Sequence, residues 1–141
     1  MKLEVPSYDL DNWLNELKPY QRNTIQKLLE ISNDPEEAAK KWITATGPQN
    51  TIPFGGIRDS KPFWDRFKEE IQKFFCDDSS YVTEKEVLLK EAPVSKSLLI
   101  SVVSSAIGAT IGYSATLLAP AIVIILYTIG KIGINAYCKG N

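Results

Sequence analysis

Between Ser97 and Gly130 the chain runs for 34 residues without an Asp, Glu, Lys or Arg. A helix of ~20 apolar residues crosses a bilayer core of ~30 Å. This stretch, which continues past Lys131 to Cys138, is therefore too long for one upright crossing and suits two helices folded back on each other. The expected first arm runs roughly from Lys96 to Tyr113. The second runs from Leu117 to Tyr137, with Pro120 in its first turn.

Charge divides the chain at the same place. All 17 acidic residues and 14 of the 16 basic ones precede Ser97, leaving only Lys131 and Lys139 after it. The predicted architecture is all-α: a small cytosolic helical domain at residues 1–94, followed at 95–141 by a two-helix transmembrane hairpin and short tail. No cleavable leader pattern is visible at Met1–Pro6. Lys90, Lys96, Lys131 and Lys139 would all flank the cytoplasmic side of a double crossing, so the expected location is a multi-pass cell-membrane protein with its polar domain inside.

In the polar part, apolar residues return at threes and fours, which predicts about five helices. Trp13, Leu14 and Leu17 mark a short first one, and Pro19 opens a second with Ile25, Leu28, Leu29 and Ile31 on its apolar face. Asp34-Pro35-Glu36-Glu37 is a helix start with a side-chain cap and acids at the positive dipole end. Ser60 and Pro62 open a fourth helix, whose Phe63, Phe67, Ile71 and Phe74 form a core stripe widened by Trp64 and Phe75. Thr83 to Glu86 matches a capping box for a fifth, Pro93 breaks it, and Ser95 caps the first arm.

The candidate functional residues lie in three places. In the first arm Ser104, Gly108 and Gly112 recur every fourth residue, and small residues so spaced let helices approach closely, within the hairpin or between subunits. Lys131 either reaches the headgroups on its long stem or lines an oligomeric pore. The Gly- and Pro-rich loop after Gly47 lacks the ending of a phosphate-binding loop; its Asn50, Phe54, Gly55 and Gly56 either pin the loop to the domain or form a partner- or ligand-binding lid.

Catalysis has little to work with. There is no histidine, which removes the commonest general base and most zinc and haem ligation. Cys76 and Cys138 show no metal-binding spacing and read as two small hydrophobes rather than a disulfide framework. The acidic neighbours Glu69-Glu70 and Asp77-Asp78 read as solvated surface, not as metal ligands. No cofactor, catalytic or metal site is expected. Mixed-sign charge argues against nucleic-acid binding.

A short helical domain, the Ser104/Gly108/Gly112 spacing and a two-arm tail resemble, in outline, the small effectors of bacterial antiviral and abortive-infection systems. That resemblance is architectural and carries over no functional residue. It implies a non-enzymatic membrane effector whose helical domain senses a protein or small-molecule activator while its hairpins oligomerise to perturb the bilayer. Two other readings fit the same sequence: a membrane-anchored adaptor whose helical domain binds another protein, and a soluble helical protein with a concealed hydrophobic hairpin.

Overall fold

The computed structural model describes residues 3–46, 63–91 and 94–139, and every regular element among them is an α-helix. Two helix starts follow the cap chemistry expected of them. Asp34 Oδ1 accepts the Glu37 amide at 2.9 Å ahead of α3 (Pro35–Thr46), and Ser95 Oγ accepts the Leu98 amide at 3.1 Å ahead of α6 (Lys96–Ile111). Before α3 come α1 (Leu10–Leu14) and α2 (Pro19–Ile31), the latter with its proline at the first position. The stripe of α4 (Phe63–Cys76) buries Phe67, Ile71, Phe74 and Phe75, while Ile31 of α2 faces solvent.

The fifth helix departs from the capping-box expectation. Helix α5 (Val82–Lys90) begins one residue before Thr83, and its N-cap is Tyr81, held in the left-handed region at φ 54°. Upstream, Asp77 closes the turn by accepting from the Ser79 amide and from both serine hydroxyls. These bonds hold its carboxyl below the usual range. Ser60, Pro62 and Pro93 lie outside the described residues.

The apolar third forms α6, α7 (Ala115–Ile132) and the short α8 (Ile134–Lys139). At ~1.5 Å per residue the 18 residues of α7 span about 27 Å and the 16 of α6 about 24 Å. Among the described residues α7 alone is long and apolar enough to cross a membrane. The second arm also stops sooner than expected. It ends at Gly133, whose φ of 89° turns the chain into α8, so Tyr137 belongs to a separate helix.

Helices α6 and α7 pack on each other as antiparallel arms, but α7 also packs against α1, α2, α3 and α8. Ala121 to Leu126 are all buried. Consecutive helical residues point about 100° apart, so six buried in succession mean that protein surrounds this part of α7. Packing thus runs across the change of composition at 94/95.

Candidate functional site

Pro120 is the sixth residue of α7, deeper than the first-turn position expected for it. Its ring carries no N–H, which deprives the carbonyl four residues back, that of Thr116, of its helical partner. A residue from α2 fills the gap: the buried Gln21 side chain donates from Nε2 to the Thr116 carbonyl at 2.8 Å. Beside it the Trp42 indole N–H of α3 donates to the Leu117 carbonyl at 2.6 Å. The first turn of the most apolar helix is therefore fastened by two donors from the polar half of the chain.

The turn between the arms explains the two glycines. Gly112 ends α6 in the left-handed region at φ 78°, and the amides of Gly112 and Tyr113 both return to the Gly108 carbonyl, at 2.8 and 2.9 Å. Nothing lies within 4 Å of where a Gly112 side chain would begin, so within the chain this residue serves the backbone turn. Gly108 is buried, and a β-carbon there would stand 2.5 Å from the Tyr113 carbonyl oxygen. The close approach that it permits is to its own hairpin. Phe63 of α4 meets the Tyr113 ring edge-on at 5.1 Å, which docks the turn on the start of α4.

Ser104, the third member of the small-residue series, is buried, and its hydroxyl has no hydrogen-bond partner among the described residues. Lys131 lies exposed in the last turn of α7, where its charge complements the helix dipole, with the ammonium 5.8 Å from the Tyr127 ring. Asn50, Phe54, Gly55 and Gly56 lie outside the described residues.

At the other end of α7 the N-terminal segment crosses the helix. A β-carbon on Gly130 would come within 2.3 Å of the Pro6 carbonyl oxygen, so that glycine admits backbone against backbone. Lys96 is drawn onto α1. It bonds Asn12 and stands 3.7 Å from a Glu16 carboxylate oxygen and 4.7 Å from the Tyr8 ring centre. The hairpin is thus fastened at its turn, at both ends of α7 and at the start of α6.

No protein-family model, curated protein or solved structure matches the chain.

Two polar clusters flank the hairpin. Lys68 of α4 pairs with Glu36 of α3, and its ammonium stands 3.3 Å from the Tyr137 hydroxyl of α8. Burial pulls the Lys68 pKa down, but the Glu36 carboxylate and Tyr137 outweigh it and the net shift is upward. In the second cluster the Tyr81 hydroxyl donates to Glu70 Oε1 at 2.6 Å and lies 3.0 Å from Thr110 Oγ1 of α6. Burial, then the Glu70 contact, push the Tyr81 phenol up to about 12. Among the described residues no group of three His, Cys, Asp or Glu side chains is placed to hold a metal ion.

The cysteines overturn the expectation of two separate small hydrophobes. Cys76, at the end of α4, and Cys138, in α8, form a disulfide that closes 62 positions of chain. The physical reason is the reversal at Gly133, which folds α8 back onto α4. The bond forms part of the wall of an open groove of about 1240 Å³ that is also lined by Phe74, Phe75, Val82, Ile132 and Ile134. The sequence carried no signal for Gln21, Trp42, Gly130 or the disulfide, since each acts on a partner distant in the chain.

Proposed function

We propose that this chain is a non-enzymatic membrane-acting effector that carries its α6–α7 hairpin sheathed by α1–α4 and delivers it to a bilayer when an activating protein or small molecule opens the sheath. In the bilayer the hairpins of several copies associate and perturb it. The observation that carries this reading is the composition of α7 at the positions that its neighbours leave partly open. Half of the helix is buried, and of its other nine positions six are apolar, Ala115, Leu117, Ala119, Tyr127, Gly130 and Ile132, the last 49% exposed, against Thr116, Thr128 and Lys131. A core helix with a part-open side ordinarily turns mostly polar residues to it, whereas an open side that is mostly apolar, with its one charge in the last turn, suits hydrocarbon.

The test is inducible expression with a membrane-potential dye, paired with flotation of the purified chain on vesicles of phosphatidylglycerol and phosphatidylcholine. Depolarisation together with co-flotation that survives a carbonate wash supports the reading. A full potential and a chain left in the unbound fraction overturn it.

A second reading, a helical protein whose hairpin is simply its core, is favoured by one observation: the Gln21 and Trp42 donors tie α7 into the body. It predicts the second of those outcomes.

A further inference from the structure

The disulfide lies where the apolar helix ends, and its surroundings differ from those of a buried structural staple. Cys76 is exposed and Cys138 half-buried, in the wall of the open groove, so a reductant meets no layer of side chains to displace. Exposed disulfides are the ones that exchange readily with external thiols. What the bond holds is unusually dependent on it. Helix α8 has six residues, too few to be stable alone, and it follows directly on Gly133 at φ 89°. Its other anchor is the buried Tyr137, whose hydroxyl stands 3.3 Å from Lys68 Nζ.

We infer that Cys76–Cys138 is a thiol–disulfide exchange site, opened by a dithiol reductant, that latches α8 and the C-terminal end of α7 to α4. One thiolate of the reductant attacks the exposed Cys76 sulfur, and the S–S bond breaks with the electron pair leaving on Cys138, which takes up a proton. The second thiol of the reductant then attacks the mixed disulfide, and Cys76 leaves and is protonated. Two electrons and two protons pass to the protein, and the reductant departs as its own disulfide. With the bond open, α8 is held to α4 among the described residues by Tyr137 alone, and the end of α8 beyond that residue loosens about the Gly133 hinge. The rest of α7 stays held by Gln21, Trp42 and the crossing of the N-terminal segment at Gly130. The effect is therefore local to one end.

Amide hydrogen exchange on the full chain, after oxidation with oxidised glutathione and again after dithiothreitol, reads this directly. On reduction the amides of 137–139 are expected to exchange at least roughly tenfold faster while those of α2, α3 and Ala121–Leu126 keep their rates. Cys138→Ser is expected to show the fast pattern with and without dithiothreitol. Three results would overturn the latch: equal exchange at 137–139 in both states, acceleration spread evenly over α2, α3 and α7, or thiols that do not pair under oxidised glutathione. Because exchange is read without lipid, failure of the membrane-effector reading leaves this result untouched.

Discussion

Gln21 and Pro120 are complementary: the amide of one supplies, at 2.8 Å, the hydrogen bond to the Thr116 carbonyl that the ring of the other removes from the helix. Gln21→Ala is therefore expected to cost about 1 kcal/mol, the contribution of one partly buried hydrogen bond. In a Pro120→Ala background the backbone amide gained by the substitution can serve Thr116, and the cost should shrink to a few tenths of that. A double-mutant cycle by urea unfolding measures the difference, and an undiminished cost in the second background would contradict the complementarity.

The two hairpin glycines should respond differently to the same substitution. Gly112→Ala meets open space and suffers only from its positive φ, which predicts a loss of about 1 kcal/mol. Gly108→Ala meets the Tyr113 carbonyl, a backbone atom that can move only with the turn, and should cost roughly 2 kcal/mol or more. Equal losses in thermal melts would argue against the hairpin turn as the reason for Gly108.

Removing the Ser104 hydroxyl should help the closed fold. A buried hydroxyl without a partner is a desolvation cost, so Ser104→Ala is expected to be neutral or to stabilise by up to about 1 kcal/mol. If the parent chain depolarises cells as proposed and the same variant does not, Ser104 serves an arrangement other than the closed one. A destabilised Ser104→Ala would show that the hydroxyl finds a partner in solution.

Alkaline pH should weaken the α4–α5–α6 junction through Tyr81. Its folded pKa, about 12, is above the ordinary 10.0, so its contribution is complete below pH 10 and disappears as pH rises from there towards 12. The upward shift of Lys68 acts in the same direction. Melting temperatures taken from pH 9 upward should fall less steeply in Tyr81→Phe than in the parent chain, and parallel curves would exclude Tyr81 as a source of the slope.

Gly130→Ala tests the crossing of the N-terminal segment. The new methyl would occupy the space of the Pro6 carbonyl, so the segment should lift while α7 keeps its place. Limited proteolysis should then cut within residues 3–9 sooner, at a stability cost on the order of 1 kcal/mol. Unchanged cleavage would mean that the segment does not rest on Gly130.

What was legible beforehand was what neighbouring residues decide. The caps at Asp34 and Ser95, the buried stripe of α4 and the two arms with a turn between them all follow from spacing over a few positions. The surroundings of the apolar arm were not legible, because Ala121–Leu126 have the same composition whether lipid or protein covers them. Gly108 and Gly112 matched a helix-packing pattern, and what spacing alone did not show is that both also serve the geometry of the hairpin turn. The capping-box pattern at Thr83 lost to a left-handed Tyr81 held by Glu70, a residue 11 positions away on another helix.

The order of these elements along the chain also bears on biogenesis. Because α1–α4 precede α6 and α7, a ribosome extrudes the cradle before it extrudes the greasy helices meant to lie in it. The Gln21 and Trp42 side chains are thus already outside the tunnel when Thr116 and Leu117 emerge, and the nascent hairpin finds its intramolecular donors made before it.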